Sequence, residues 1–345
     1  MPVSSTLVRR LVVAPLVLLA EAAVIVLSPL LGLVAAAASP LLGGSRPLRI
    51  VAISVGYAAR HLAGTIACLG LWIASGFGRH AESARMQRAH YAVLRWFVGG
   101  VYRSMVRLAR VDVQVTESKA AEAALSAGRR PVVVLSRHAG EGDSLLILHE
   151  LLCRHRRRPR LVLHEALRMD PLIDVLGRRL PNRFVDPRGG DTEVEIAAMT
   201  KDIGDDGAVL IFPEGGNFSP ARRQRGIERL ERGGYDEQAA RAREMHHVCA
   251  PRPGGALAAL EAAPHADMVF VAHVGVPNGL RDLWRLLPSH QTVELRLWIV
   301  GSEEIPSGRD ERIAWLFDWW WTLDQWVGER RERDPSFDEA SGRPS

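Results

Sequence analysis

An apolar stretch near the N-terminus is the feature that most constrains the fold of this chain. Residues 11–38 are apolar apart from Glu21 and a few small polar residues and prolines. An α-helix needs roughly 20 apolar residues to cross a bilayer, and the apolar part of a signal peptide is usually only ~7–15 residues long. Because residues 11–38 exceed both lengths, they predict a membrane-embedded helix rather than a cleaved leader.

A second apolar stretch, residues 50–77, follows after a short break that contains Pro40 and Gly43-Gly44. Prolines and glycines in such a break indicate a turn, so the two stretches together predict a helical hairpin. Either both legs cross the bilayer, or the hairpin enters one leaflet and returns. The second stretch fits a complete span less well, because it contains Tyr57, Arg60 and His61.

The chain is basic, with a formal net charge of +5, and Lys119 and Lys201 are its only lysines. Arginines flank the two apolar stretches, namely Arg9, Arg10, Arg79, Arg85 and Arg88. Basic flanks favour the cytoplasmic side, so we expect a protein of the cell membrane whose larger part is cytoplasmic. Arg46 and Arg49 in the turn weaken that contrast. An arginine-rich surface suits anionic lipids, but a GC-rich genome explains the same composition equally well.

Residues 81–110 predict a helix with one apolar face, which either rests on the bilayer or covers a protein surface. Beyond it strands and helices alternate, which predicts an α/β domain with a mixed sheet flanked by helices. The predicted strands are residues 111–115, 132–136, 160–164, 183–185, 208–212, 268–276 and 292–300. The predicted helices are residues 120–127, 144–155, 171–180, 192–203, a stretch after Pro220, and 255–263.

This pattern divides the chain into a membrane hairpin (1–80), a connecting amphipathic helix (81–110), an α/β domain (111–333) and a disordered tail (334–345). A tryptophan-rich helix, residues 310–331, ends the α/β domain and either caps the sheet or meets the membrane interface. The three cysteines show no CxxC spacing, which indicates a reduced compartment and no metal site.

A histidine and an aspartate lie five positions apart just after the predicted strand 132–136. The strand, a glycine-containing loop and the next helix would bring His138 and Asp143 together at the carboxyl edge of the sheet, where α/β proteins bind ligands. Such a pair can act as a general base with its orienting acid. The alternative is that Asp143 caps the following helix and His138 is an ordinary loop residue.

A second motif, Phe212-Pro213-Glu214-Gly215-Gly216-Asn217, follows the apolar run 209–211. The two motifs, in this order and each after a predicted strand, resemble the 1-acylglycerol-3-phosphate acyltransferase (lysophospholipid acyltransferase) family. That family pairs His-x4-Asp with a later Phe-Pro-Glu-Gly. The resemblance covers most of residues 130–330 and is nearest to the lysophosphatidic and lysocardiolipin acyltransferase branch.

The resemblance implies a membrane enzyme of phospholipid biosynthesis, with residues 111–333 as its acyltransferase domain. It would move a fatty acyl group from acyl-CoA or acyl carrier protein to the free hydroxyl of a lysophospholipid. The first expected acceptor is 1-acyl-sn-glycerol-3-phosphate, giving phosphatidic acid. His138 would be the general base and Asp143 its partner, while Glu214 and Gly215 would help to bind the acceptor.

No Gly-x-Ser-x-Gly motif is present, which favours direct attack by the acceptor hydroxyl over a covalent acyl-enzyme. We expect no metal or prosthetic group and no nucleic-acid partner. The partners implied are membrane lipids, the acyl donor and the acceptor.

The second motif departs from the family, in which Thr and a phosphate-binding Arg usually follow Glu-Gly. Here Gly216 and Asn217 occupy those positions. Arginines near the motifs are candidates to bind the phosphate instead, namely Arg188, Arg222, Arg223 and Arg252. Arginine suits this role because its planar donors match phosphate oxygens. The alternative for each is a turn or a solvated charged face.

Two other functions remain open at this point. The departure at Gly216 and Asn217 is compatible with a different acceptor, such as another lysophospholipid, a glycolipid or an amino lipid. The arginine-rich surface is compatible with a catalytically inactive membrane lipid-binding protein, although intact His138, Asp143 and Glu214 speak against it.

Overall fold

The computed structural model describes residues 6–126, 130–140, 142–186, 192–277, 280–287, 290–334 and 337. The chain divides into two compact units. The first comprises Met1–Val111, Arg160–Gly189 and Leu286–Gln291, and the second comprises Asp112–Pro159, Gly190–Arg285 and Thr292–Ser345. Most of the predicted disordered tail, including residues 338–345, lies outside the described residues.

The α-helices of the described residues are α1 Thr6–Val8, α2 Ala14–Val26, α3 Ser28–Ala38, α4 Arg46–Ala74, α5 Ala84–Ala109, α6 Lys119–Leu125, α7 Asp143–His149, α8 Pro171–Arg179, α9 Thr192–Thr200, α10 Pro220–Arg232, α11 Asp236–Glu244, α12 Pro253–Ala262, α13 Leu280–Leu286 and α14 Arg309–Arg333. The strands are β1 Val111–Thr116, β2 Val132–Ser136, β3 Arg158–His164, β4 Arg183–Val185, β5 Gly207–Ile211, β6 Asp267–Val274 and β7 Gln291–Val300. Short π-helical and 3-10 turns lie at Arg9–Val13, Glu150–Arg154, Glu165–Met169 and Ser302–Glu304.

The first unit begins with the apolar helices that the sequence predicts. By length and composition alone, α4 is long and apolar enough to cross a membrane. The first leg is not one straight helix, because the segments Thr6–Val26 and Ser28–Ala38 meet at an angle of 61°. Pro29 explains the break, since proline lacks the N–H that would bond back to residue 25 and its ring clashes with that carbonyl.

A buried histidine links the apolar helices to α8. The His61 ring on α4 lies 2.7 Å from the Glu21 carboxylate on α2 and 2.9 Å from the Asp170 carboxylate, whose side chain also caps α8. A neutral imidazole has a single N–H, so both contacts are hydrogen bonds at once only when the ring or one carboxyl carries an extra proton. Two of the polar residues in the apolar stretches, Glu21 and His61, are therefore partners of each other.

Close packing also joins α4 and α8. Cys68, Leu172 and Leu176 form a buried cluster, and a Cβ added at Gly64 would lie 3.1 Å from the Leu172 side chain. Gly177 lets α8 approach β4 in the same way, because a Cβ there would overlap the Phe184 ring at 2.4 Å. A side chain at position 177 would therefore force the Phe184 ring to move, whereas one at position 64 would require only a small shift of Leu172. Strands β3 and β4 pair in parallel within this unit.

The second unit contains a mixed sheet with strand order β1-β7-β6-β2-β5. Strand β2 lies in the centre and pairs in parallel with β5 and β6, whereas β7 runs antiparallel to β6. Strands β2, β5 and β6 are buried along their whole length, as expected for apolar runs at the centre of a parallel sheet. The predicted α/β fold with a mixed sheet is confirmed.

The tryptophan-rich helix α14 packs on this sheet. The Trp319 indole stacks on the Phe270 ring of β6, with centroids 4.4 Å apart and planes at 8°. Trp320 and Trp326 are buried. These tryptophans therefore cap the sheet, which is the first of the two roles predicted for this helix, and they place α14 against the strand that carries His273.

Candidate active site

The loop after β2 brings His138 and Asp143 together. His138 Nδ1 lies 3.1 Å from Asp143 Oδ2, and Asp143 is the first residue of α7. A carboxylate on Nδ1 fixes the neutral ring in the tautomer that carries its proton there. Nε2 then holds a lone pair, and no hydrogen-bond partner for it occurs among the residues that the structure describes.

Asp143 is completely buried, and its Oδ2 atom accepts several hydrogen bonds. The amides of Ala139 and Gly140 donate to it at 2.5 and 2.9 Å, in addition to His138. Burial alone would raise the pKa of this carboxyl. The positive charge available on His273 and the hydrogen bonds from both histidines outweigh that effect, so the pKa of Asp143 lies below its usual range. The carboxyl is therefore an anion at neutral pH.

His273 is a site residue that the sequence did not reveal. Its Nε2 atom lies 3.5 Å from Asp143 Oδ2 and 3.4 Å from the Arg137 carbonyl oxygen, and its side chain is fully buried. The cause is the parallel pairing of β2 with β6, in which Ser136 lies opposite Val271. Residue 273 therefore extends beyond that pair, beside the histidine loop. The sequence did contain a signal for His273, because it is a polar residue near the end of the apolar run 268–276.

One side of His138 packs against the second motif and the residue that follows it. The His138 ring lies against the Phe212 ring, with centroids 4.5 Å apart and planes at 31°. The amide of Phe218 donates to the His138 carbonyl at 2.7 Å. The side chain is 22% exposed, so the imidazole is held on one side and reachable on the other.

Glu214 ties the histidine loop to a third segment. Its Oε1 accepts from the His138 amide at 3.1 Å, and its Oε2 accepts from the Cys249 amide at 2.9 Å. Burial raises the pKa of Glu214 to about 7, although the Arg137 charge and the two amide donors oppose that increase. The carboxylate thus binds the backbone at both oxygens, which makes it a positioning group for His138.

Two arginines lie over the glycines that follow Glu214. Gly215 and Gly216 have φ values of +71° and +147°, which favour glycine. A Cβ at Gly215 would lie 3.0 Å from Cζ of Arg252, and one at Gly216 would lie 2.7 Å from Cζ of Arg222. Arg222 also donates to the Gly215 carbonyl at 3.2 Å. The turn therefore carries two guanidinium groups beside the His138 loop.

The other two candidate arginines are placed differently. Arg223 donates to the carbonyls of Met245, Ala242 and Arg243, at the C-terminal end of α11, so its guanidinium stabilises that helix end rather than the Gly215–Gly216 turn. Arg188 lies outside the described residues.

Within the described ranges, no group of three or more His, Cys, Asp and Glu side chains is arranged to hold a metal ion. Whether the chain needs a metal or prosthetic group therefore stays a prediction from the sequence.

Glu214 makes a testable contribution to the pH dependence of stability. In the unfolded chain a glutamate loses its proton near pH 4.5, whereas folded Glu214 keeps it up to about pH 7. Between these values the folded state binds more protons, so the free energy of unfolding falls as pH rises, by about 3 kcal/mol at most, and then levels off. Glu214→Gln should remove this decline.

Denaturant unfolding of the full chain in detergent from pH 4 to pH 8 measures the effect. Glu244→Gln, at an exposed position on α11, is the matched control and should follow the parent profile. Parallel profiles for the parent and Glu214→Gln would contradict the assignment.

Comparison with known proteins gives the site its chemical class. A search of curated proteins found no match for this chain. Residues 110–271 match the family model described as Acyltransferase. The matched segment includes His138, Asp143 and Glu214, and it ends shortly before His273. Residues 110–271 are therefore an acyltransferase domain.

Proposed function

We propose that the chain is a membrane-attached O-acyltransferase that acts on a lysophospholipid. It moves a fatty acyl group from acyl-CoA or acyl carrier protein to the free hydroxyl of 1-acyl-sn-glycerol-3-phosphate, giving phosphatidic acid. The observation that carries this proposal is the His138–Asp143 pair inside the matched segment, with Nδ1 held at 3.1 Å by a buried carboxylate.

The reaction begins with deprotonation of the acceptor. His138 Nε2 takes the proton of the hydroxyl while its oxygen attacks the thioester carbonyl carbon. The Asp143 carboxylate stabilises the imidazolium that forms, because it already receives Nδ1–H. The ring carries one positive charge next to one buried negative charge at this stage.

The tetrahedral intermediate then collapses. The carbonyl re-forms, the carbon–sulfur bond breaks, and the thiolate leaves with the proton that His138 returns from Nε2. The products are an ester and a free thiol on the carrier, and the histidine ends in its starting state. No protein nucleophile is consumed.

Arg222 and Arg252 are the groups that we assign to the acceptor phosphate. They lie over the turn at Gly216 and Gly215, directly after Glu214 in the chain. Arg252 is exposed and Arg222 is half-buried, with Nε lacking a hydrogen-bond partner among the described residues. Their planar donors would bind the phosphate in place of the arginine that the second motif lacks.

A different acceptor is the second candidate function. The Gly216-Asn217 pair favours it, because the guanidinium groups here come from α10 and from the residue before α12 rather than from the motif itself. A glycolipid, an amino lipid or another lysophospholipid would then be acylated by the same His138 chemistry. An inactive lipid-binding protein would retain neither reaction.

The membrane attachment belongs to the same proposal. Apolar residues of α2, α3 and α4 are exposed along these helices, as expected for surfaces that contact lipid. With the arginines that flank the hairpin, we assign the acyltransferase domain to the cytoplasmic face of the cell membrane.

Replacing His138 tests the reaction directly. His138→Ala should lower acyl transfer by at least about 100-fold, since a positioned general base contributes roughly 10²–10⁴-fold. Transfer of radiolabelled acyl from acyl-CoA to lysophosphatidic acid, in membranes that contain each variant, is the measurement. His265→Ala, an exposed histidine, is the control.

Full activity of His138→Ala would exclude this mechanism. If the parent chain gives no product, a panel of acceptors with both donor carriers comes next. Failure of the whole panel would leave the inactive lipid-binding protein.

His273 should act as a positioning residue for the pair. In His273→Phe the Asp143 carboxylate loses a polar partner at 3.5 Å, so it holds the His138 ring less firmly. A lost hydrogen bond to a charged group is worth about 1.5 kcal/mol, which predicts a kcat about tenfold lower. KM for the acceptor should not change. An unchanged kcat in a folded variant, or equal effects on kcat and KM, would reduce His273 to a packing role.

The arginine assignment predicts a phosphate-dependent defect. Arg222→Gln and Arg252→Gln should each lower kcat/KM for lysophosphatidic acid by about 10- to 100-fold, because a hydrogen bond to a charged group is lost. Activity on a monoacylglycerol should be unaffected. Arg225→Gln, on the exposed face of α10, is the control. Equal losses for both acceptors would contradict phosphate binding at this turn.

A further inference from the structure

The first unit contains a cavity that the acyltransferase chemistry does not use. Its volume is about 640 Å³, and α2, α4 and α8 line it together with the turns Arg9–Val13 and Glu165–Met169. All lining residues belong to the first unit, whereas His138, Asp143 and Glu214 belong to the second. The cavity is thus a separate feature of the chain.

Several residues that line this cavity are large and apolar. Leu18 of α2 and Ile66, Leu69 and Trp72 of α4 line it. Ile66 and Leu69 are 59% and 54% exposed, so they offer apolar surface to a ligand. Since they belong to helices of membrane-spanning character, an alkyl chain is the group that this wall would cover most favourably.

The lining also carries an excess of positive charge. Five of the lining residues are arginines and one is a carboxylate, Asp174. Asp174 pairs with Arg178 at 2.9 Å, and Glu165 outside the lining pairs with Arg168 at 2.7 Å. Arg10 and Arg179 have no ion-pair partner among the described residues. A ligand that contacts these arginines is therefore favoured if it brings negative charge.

We propose that this cavity binds an anionic glycerophospholipid of the bilayer. The phosphate lies on the guanidinium groups of Arg10 and Arg179, and one acyl chain follows the apolar wall of α2 and α4. Arginine binds phosphate oxygens through its planar donors, and basic residues at a membrane surface attract anionic lipids. A neutral lipid would leave the charges unmatched, and a free phosphate would leave the apolar wall uncovered.

Such a lipid would contact both the apolar helices and α8. The contact would supply the negative charge that the arginine end lacks. The proposal does not rest on the acyltransferase activity, because binding is measured without turnover.

The test uses the purified full chain in a nonionic detergent. Native mass spectrometry measures binding of dioleoylphosphatidylglycerol, dioleoylphosphatidylcholine and inorganic phosphate as competitor. We expect the anionic lipid to bind the parent chain at least tenfold more tightly than the zwitterionic one, and phosphate not to displace it. Equal binding of the two lipids, or displacement by phosphate, would overturn the proposal.

Charge variants identify the headgroup end. Arg10→Gln with Arg179→Gln should weaken binding of the anionic lipid by about 30-fold, since each basic residue near an anionic lipid contributes a factor of about five. Arg85→Gln with Arg88→Gln removes the same charge from exposed positions of α5 outside the cavity and should have little effect. Equal weakening by both pairs would mean nonspecific attraction.

Two further variants guard against loss of folding. Arg10→Lys with Arg179→Lys keeps the charge and should stay within about fivefold of the parent affinity. Ala14→Trp fills the cavity from α2 and should abolish lipid binding, whereas Ala20→Trp, exposed on the same helix and outside the lining, should not. Parent-like binding by Ala14→Trp would show that the lipid does not enter the cavity.

Discussion

Buried carboxylates that bind backbone amides hold the candidate active site together. Removing an ionised carboxyl from water is costly unless hydrogen bonds replace the lost solvation. Asp143 and Glu214 meet this requirement through amides of the loop that contains His138. The position of His138 is therefore set from two sides, through its ring by Asp143 and through its own N–H by Glu214.

The segment of residues 247–249 is held by the same kind of contact. Asp324 of α14 accepts from the amides of His247 and Val248, and Glu214 accepts from the next amide, that of Cys249. Arg137 donates to the carbonyls of His247 and His273. The buried side chains of Arg137 and Glu214 thus bind the backbone of three loops that are far apart in sequence. Arg222 and Arg252 lie beside these loops.

Much of the fold follows from the sequence, because strong local patterns specify the strands. All seven predicted strands are present, with bounds that differ by a few residues. Helices α11 and α13 were not predicted, since they are short and lack a strong apolar period. The bend before α3 had a local signal in Pro29, but a continuous apolar run concealed it.

The site was less predictable than the fold, because it depends on pairing between distant segments. His138 and Asp143 lie close in sequence, so their contact needed only a strand, a turn and a helix. His273 reaches Asp143 through the pairing of β2 with β6, which no local pattern specifies. Likewise, the charge of Arg223 was visible, but the helix end that its donors bind was not.

The packing of α4 on α8 determines what happens when the N-terminal helices are removed from this chain. Residues 160–189 are separated from the apolar helices by the first strands of the sheet, yet they pack with those helices in one unit. A variant that lacks residues 1–80 would lose Gly64, Cys68 and His61. Leu172 and Leu176 of α8 would then be uncovered, and Asp170 would lose its histidine partner. The apolar helices thus belong to the same compact unit as residues 160–189. We expect a variant without them to aggregate rather than to remain soluble.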